Sequence, residues 1–140
     1  MLEIKTGVIP TREELLELYS SVDWTAYTND PEKLERAVRN SKDVYTAWEA
    51  GRLVGLLRTV GDGEIILYVQ DLLVAPDCRG LGIGEELLRR LKTDYEDIPQ
   101  KVLLADSSEK PTEKLIDFYC ARGWYPADTW GCTAFLNFEC

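Results

Sequence analysis

Residues 74–88 read VAPDCRGLGIGEELL and join a predicted strand to a predicted amphipathic helix through a glycine-rich turn. The first backbone N–H groups of a helix have no intrahelical acceptor, and the helix dipole adds partial positive charge there. Gly80, Gly82 and Gly84 carry no side chain that would block a bulky anion, and Arg79 adds a mobile positive charge. The stretch therefore predicts a cradle for a phosphate or pyrophosphate group.

Two better-known phosphate-binding loops do not match this turn. It lacks the pattern GxxxxGK[ST], which excludes the ATPase-type loop. Its third glycine also comes one residue too early for the GxGxxG fingerprint of dinucleotide-binding proteins. Taken alone, the glycine pattern leaves a second interpretation open, namely a turn that binds no ligand.

The segments before the turn predict two helices near the N-terminus. Thr11 and Glu14 have the spacing of a capping box, and Asp30-Pro31 is typical of an N-cap followed by proline at the first helical position. A loop at 22–29 separates the two helices. The periodicity then changes from helical to alternating, which predicts strands.

Predicted strands lie before and after these two helices. Strands are predicted at 2–5, 44–50, 53–60, 64–74, 101–105 and, as one or two strands, within 129–138. The continuous apolar run 65–69 predicts a central strand that is covered on both faces. Further helices are predicted to start at Gly82 and at Pro111-Thr112. The order β-α-α-β-β-β-α-β-α-β predicts an α/β fold: one domain, 1–140, with a mixed sheet of six to seven strands and helices on both faces.

Composition restricts the chemistry. The chain has 140 residues, with 16 Lys plus Arg and 25 Asp plus Glu, and its net charge of −9 argues against a nucleic acid partner. It contains no histidine, which excludes Ser-His and Cys-His nucleophiles and His-ligated metal sites. Catalysis would have to use carboxylates, Tyr, Cys, Lys, Arg or backbone groups.

Cysteine spacing and hydropathy bear on metals and location. The four cysteines form no CxxC pair, so we expect no metal site and reduced thiols. The N-terminal residues are too polar for a signal peptide, and no apolar run approaches the roughly 20 residues that span a bilayer. We expect a cytoplasmic protein with no membrane partner.

Two motifs resemble those of the GNAT superfamily, the acyl-CoA-dependent N-acyltransferases. Residues 79–84, RGLGIG, match the superfamily signature (Q/R)xxGx(G/A), which also follows a strand in that family. Residues 118–124, FYCARGW, are similar to the second signature, Tyr-x-x-x-Gly-aromatic, at the end of the last helix. The predicted element order is also that of the family, so the resemblance extends over almost the whole chain.

The resemblance implies acetyl-CoA as the co-substrate and assigns residues to it. The backbone of Leu73 and Val74 would pair with the pantetheine arm like an added strand. Thr112 stands where many members have an asparagine that bonds the same arm, and Tyr119 would protonate or hydrogen-bond the leaving thiolate. The alternative for Tyr119 is an ordinary core aromatic. The pyrophosphate would be held by the backbone amides of Arg79, Gly80, Leu81, Gly82, Ile83 and Gly84.

The general base and the acceptor site are less well defined. Asp71 and Asp106 are candidate bases because they lie on or after strands beside the implied acetyl-CoA site. A solvated or structural carboxylate at a strand end is the other interpretation of each, and a water relay is a further alternative. Trp24 and Tyr27 are expected to shape the acceptor site, together with final strands around residues 130–132. Aromatic faces and an acidic surface favour a cationic or aromatic amine. Core packing is the other interpretation of these aromatics.

Three functions are therefore compared. We favour transfer of an acetyl group from acetyl-CoA to the primary amine of a small molecule by direct attack. A protein N-acetyltransferase acting on lysine or an N-terminus is the second possibility, and a silent CoA-binding module is the third. The segment ending at Phe138 is expected to form an exposed strand edge, which makes a homodimer possible.

Overall fold

The computed structural model of the protein describes residues 1–106 and 112–139. The chain divides into two compact units, Met1–Leu103 and Leu104–Cys140. The prediction of a single domain over 1–140 stays a prediction. The predicted helix start at Pro111 lies outside the described residues, whereas Thr112 is the first residue of the last described helix.

The first unit contains a mixed five-stranded sheet, as the alternating periodicity predicts. Its strands lie in the order β1-β2-β3-β4-β5, and all neighbours are antiparallel except the parallel pair β4 and β5. The strands are β1 (Leu2–Thr6), β2 (Asp43–Glu49), β3 (Arg52–Gly61), β4 (Ile66–Val74) and β5 (Gln100–Leu103). The α-helices are α1 (Arg12–Ser21), α2 (Thr25–Thr28), α3 (Pro31–Arg39), α4 (Ile83–Asp94) and, in the second unit, α5 (Thr112–Cys120). Short 3₁₀ helices lie at Pro76–Cys78 and Ala127–Trp130.

Side chains cap the first helices as predicted. The Glu14 backbone N–H donates to Thr11 Oγ1 at 3.2 Å, and the Thr11 backbone N–H donates to Glu14 Oε1 at 2.9 Å, which completes the capping box. Asp30 accepts from the Lys33 backbone N–H at 3.2 Å. The predicted loop at 22–29 contains the one-turn helix α2, which has no side-chain cap.

Helices pack on both faces of the sheet. On one face α4 approaches β3 closely, because a Cβ at Gly55 would lie only 2.9 Å from Ile83 Cγ2. On the other face Asp71 of β4 accepts hydrogen bonds from Arg58 of β3 and from the Tyr19 hydroxyl of α1. Residues 55 and 58 are an odd number apart, so their side chains lie on opposite faces of β3. Glycine at position 55 thus allows α4 to pack closely on its face of the sheet, because a side chain there would collide with Ile83.

The strand that is buried on both faces is β3, not the apolar run 65–69. Side chains 53–59 of β3 are all buried, whereas β4 alternates between buried and more accessible positions. Ile65 is 58% exposed and precedes β4, and Gln70 is also exposed. The prediction that both faces of the run 65–69 are covered is wrong. A continuous apolar run does not show which of its residues lie inside the sheet and which are exposed at the start of the strand.

The predicted final strands within 129–138 are also wrong in the described part of the chain. The Ala127–Trp130 3₁₀ helix replaces their start, and Gly131 follows it with a φ of +72°. Residues 132–139 belong to no strand, and Phe135 is 91% exposed. Strand formation needs a partner backbone as well as β-forming residues, so the apolar pattern alone overestimated the sheet, which has five strands and not six or seven. Among the described residues, no helix is both long enough and apolar enough to cross a membrane.

Candidate functional site

Strand β4 has a free edge along its second half. Pairing with β5 runs from Ile66 opposite Gln100 to Val69 opposite Leu103 and then stops. β4 itself continues for five more residues to Val74. In the described part of the chain, no strand pairs with 70–74 on that side, so the sheet opens at this point.

A bulge in β4 lies at the start of this free edge. Arg58 pairs with Asp71 and Thr59 with Val69, which leaves Gln70 as the extra residue. Beyond the bulge the Ala75 N–H donates to the Val54 carbonyl of β3 at 2.8 Å.

Backbone groups of successive strand residues point to alternate sides. Those of Leu73, two residues before Ala75, therefore also face β3. The backbone groups on the open side belong to Leu72 and Val74, and no described strand pairs with them there.

The glycine-rich turn follows directly and is shaped by positive φ angles. After the 3₁₀ helix, Gly80 has a φ of +82° and Gly82 a φ of +79°. Residues with a side chain rarely adopt these angles, which explains the glycines. A Cβ at either position would have no atom within 4 Å, so the space beside the turn is open. Gly82 is the N-cap of α4 and supplies no side-chain cap.

The backbone amides of this turn are unpaired. The Glu86 N–H makes the first bond of α4, to the Gly82 carbonyl at 3.0 Å. Within residues 1–106 and 112–139, the N–H groups from Gly80 through Gly84 have no acceptor. Arg79 at the edge of the turn is exposed. A row of free donors at a helix N-terminus favours an anion, which supports the cradle expected from residues 79–84.

Asp71 lies on β4 immediately after the bulge and is only 2% exposed. Its Oδ2 accepts from Arg58 Nε at 2.5 Å and from the Tyr19 hydroxyl at 2.9 Å. Its Oδ1 accepts from the Tyr27 hydroxyl, also at 2.9 Å. The carboxylate is thus paired with a buried guanidinium and two phenols, which is the arrangement of a structural group.

The two tyrosines of this cluster are hydrogen-bond donors at neutral pH. Burial, and then the nearby Asp71 charge, raises the pKa of Tyr19 well above its usual value. The same two causes raise the pKa of Tyr27. Both hydroxyls therefore keep their protons and bond the carboxylate as neutral groups.

Trp24 and Tyr27 lie together on and beside α2. Their ring centroids are 5.9 Å apart, and each also contacts the Tyr19 ring, at 5.9 and 5.3 Å respectively. Both residues are half-buried, so each is partly accessible to solvent. The Gln70 side-chain amide donates to the Tyr27 hydroxyl at 3.3 Å, and this hydrogen bond links α2 to the bulge of β4.

Sequence reasoning missed Arg58, Tyr19 and Gln70. Arg58 carried the clearest signal, because it is a lone charge inside the apolar strand LVGLLRTV and had to find a buried partner. Tyr19 has the helical spacing of the apolar residues Leu15 and Leu18, and this spacing alone predicts core packing. The bulge at Gln70 has no local sequence signature.

The remaining candidates belong to the second unit. Tyr119 lies on α5, where its ring contacts Phe118 with centroids 5.0 Å apart, and burial raises its pKa. Thr112 and Asp106 are exposed, as are Trp130 and Cys132 of the predicted final strands. The catalytic and cofactor-binding roles of these residues stay predictions.

Comparisons with known proteins agree with the fold. Residues 12–133 match the family model described as "Acetyltransferase (GNAT) domain". A GNAT-family acetyltransferase from Streptococcus pneumoniae has a solved structure that is 33% identical, with a TM-score of 0.84 over 99% of this chain and 98% of that one.

Two curated relatives also match. An uncharacterized ycf52-like N-acetyltransferase from Prochlorococcus marinus is 30% identical over 79% of this chain and 61% of its own length. Serotonin N-acetyltransferase 2 of rice is 39% identical over 45% of this chain and 34% of its own length. The matches thus span less than two thirds of either relative. The family model and the pneumococcal structure cover nearly the whole chain, and the chain therefore belongs to the GNAT family of acetyltransferases.

Proposed function

We propose that the protein is an N-acetyltransferase that moves the acetyl group of acetyl-CoA to the primary amine of a small molecule. The observation that carries this proposal is the row of unpaired amides from Gly80 to Gly84, next to the free edge of β4. Free donors at a helix N-terminus suit a diphosphate, and a free strand edge suits an extended arm that carries amide groups.

Each part of acetyl-CoA has a proposed partner. The turn amides, with Arg79 at their edge, bind the pyrophosphate. The backbone groups of Leu72 and Val74 pair with the pantetheine amides, which shifts the expected pairing by one residue from Leu73. Thr112 supplies a further hydrogen bond to the arm. Glu86 is compatible with an anion nearby because Arg89 and Arg90 neutralise its carboxylate, at 2.6 and 3.4 Å.

The reaction is direct attack. The lone pair of a neutral amine attacks the thioester carbonyl carbon, the C–S bond breaks, and the sulfur leaves as a thiolate that takes up a proton. Tyr119 is the proposed donor of a proton or a hydrogen bond to that sulfur, since its phenol is protonated at neutral pH. Burial raises the pKa of Tyr119, which favours the hydrogen bond over full proton transfer. The proton lost by the amine passes to water, with Asp106 as the other candidate acceptor. Asp71 is unsuited to this step because its oxygens already accept three hydrogen bonds.

The proposed acceptor is an aromatic or cationic amine. Trp24 and Tyr27 are partly accessible aromatic residues, and aromatic rings bind aromatic groups and cations. The net charge of −9 also favours a cation over an anion. The partial match to a protein named serotonin N-acetyltransferase supports an aromatic amine.

We also propose that a second copy of the chain covers the exposed apolar residues near the C-terminus. Phe135, Leu136 and Phe138 are large and exposed within four residues, which is unusual for a free surface. Light scattering is expected to give twice the chain mass. A monomer at all concentrations would contradict this part of the proposal.

The test of function is thiol release from acetyl-CoA. Tryptamine, serotonin and spermidine are offered beside a lysine peptide and a peptide with a free N-terminus, and the small amines are expected to give the higher rates. The Tyr119→Phe variant should lose about 100-fold in kcat with unchanged CoA affinity. Higher rates with peptides would favour a protein acetyltransferase, and tight CoA binding without any turnover would favour a silent binding module.

A further inference from the structure

The short helix α2 cannot hold its own position. It has four residues, Thr25–Thr28, and its N-cap Trp24 makes no side-chain capping bond. A single helical turn is unstable in isolation, because nucleation costs more than one turn returns. Its place beside the sheet must therefore be fixed by contacts to other elements.

Those contacts converge on the bulge of β4 through the Tyr27 side chain. The Tyr27 hydroxyl donates to Asp71 Oδ1 at 2.9 Å and accepts from Gln70 Nε2 at 3.3 Å. The two partners are the bulge residue and the residue that follows it, and they lie where pairing with β5 has just ended at Val69. Tyr27 is thus fixed at the first open position of the strand edge.

The two oxygens of Asp71 have different neighbours. Oδ2 is held twice, by Arg58 Nε and by the Tyr19 hydroxyl, whereas Oδ1 has Tyr27 as its donor. The Arg58 guanidinium also lies 5.9 Å from the Tyr27 ring centroid, over its face. The buried ion pair fixes the carboxylate, and the carboxylate in turn fixes the tyrosine.

We propose that Asp71 and Gln70 are positioning residues that hold Tyr27, and with it α2 and Trp24, as the acceptor-side wall at the open edge of β4. This inference rests on the proposed function, because it assigns the amine to the side of the edge where α2 lies. Asp71 acts through Tyr27 and does not itself touch the substrate or take its proton.

The chain offers a matched pair of variants. Tyr27→Phe keeps the ring but removes the bonds to Oδ1 and Gln70. Tyr19→Phe removes a hydrogen bond of the same length to the same carboxylate, yet leaves Oδ2 bonded to Arg58. A purely structural cluster would respond alike to both changes.

Kinetics with tryptamine separate the two roles. Tyr27→Phe is expected to raise the KM for the amine about 10- to 100-fold, the range for a hydrogen bond to a charged group, with kcat and CoA affinity nearly unchanged. Tyr19→Phe should lower the Tm but leave that KM within about twofold. Equal KM values in Tyr27→Phe and wild type would overturn the proposal.

Asp71→Asn addresses the alternative that Asp71 is the base. Positioning predicts that kcat recovers at saturating tryptamine, whereas loss of kcat at every amine concentration would identify a base and overturn the inference.

Amide exchange of residues 24–29 provides a readout without substrate. Faster exchange in Tyr27→Phe than in Tyr19→Phe supports the positioning role, and equal exchange contradicts it even if Asp71→Asn fails to fold. Wild type that acetylates none of the amines would instead contradict the proposed function.

Discussion

The bulge at the start of the free edge of β4 and the glycine-rich turn that follows β4 differ in how their polar groups are paired. At the bulge, Asp71 is buried and every hydrogen bond in the cluster joins side chains of the protein. Beyond Val74, the turn residues Gly80 to Gly84 have no polar side chain, and their amides find no acceptor among the described residues. The first region has the hydrogen-bonding pattern of a structural cluster, whereas the second has the unpaired donors that the proposed binding of acetyl-CoA requires.

The largest effect is expected from disrupting the buried Asp71 cluster at the bulge. Arg58→Met removes the buried partner of Asp71 and leaves a carboxylate charge without its counterion. Such a change costs about 3–5 kcal/mol in the free energy of unfolding, measured by urea denaturation. The double variant Arg58→Met/Asp71→Leu removes both charges and should recover a large part of that loss. Additive losses in the double variant would show that the two residues do not act as a pair.

Gly82→Val tests the glycine-rich turn and should have the next largest effect. The substitution puts a branched side chain on a residue with a φ of +79° and into the space beside the amides. Acetyl-CoA affinity, measured by calorimetry, is expected to fall about 10- to 100-fold, since strain of this kind costs about 1–3 kcal/mol and the side chain obstructs the anion.

Gly7→Val is the matched control for this substitution. Gly7 has a φ of +77° and also has nothing within 4 Å of an added Cβ, but it follows β1 and not β4. It should lose similar stability and keep acetyl-CoA affinity. Equal affinity losses in both variants would remove the special role of the turn.

The smallest effect is expected at the ion pair that leads into the turn. Arg52 Nη1 and Nη2 donate to Asp77 at 2.8 and 3.1 Å, but both side chains are exposed. Arg52→Ala should change acetyl-CoA affinity by about twofold or less, because solvent screens such pairs. A larger change would show that this exposed pair helps to hold the turn open.

The same pair has a defined pH dependence. The hydrogen bond from Arg52 lowers the pKa of Asp77, so the pair stabilises the fold above the ordinary carboxylate pKa of about 3.9. That contribution is lost as the pH falls through the lower folded value. Thermal unfolding should therefore show a small difference between wild type and Arg52→Ala at pH 7 that vanishes in strong acid.

The sequence predicted the features that are local. The capping box at Thr11 and the glycine-rich turn depend on neighbouring residues, so their patterns were sufficient. The Asp71 cluster joins residues 52 positions apart, and the bulge at Gln70 arises from the pairing of β4 with β3. Neither the cluster nor the bulge can be predicted from a pattern of neighbouring residues. The final strands were overestimated for the same reason, because a strand requires a partner that periodicity does not identify.

Amide NMR of the turn tests the central claim most directly. In a titration of ¹⁵N-labelled protein with CoA, the amide resonances of Gly80, Leu81, Gly82, Ile83 and Gly84 should shift most and gain protection from exchange, together with those of Leu72 and Val74. The amides around Asp71 on the β3 side should change little. CoA binding that leaves the turn amides unshifted and exchanging as before would contradict the account.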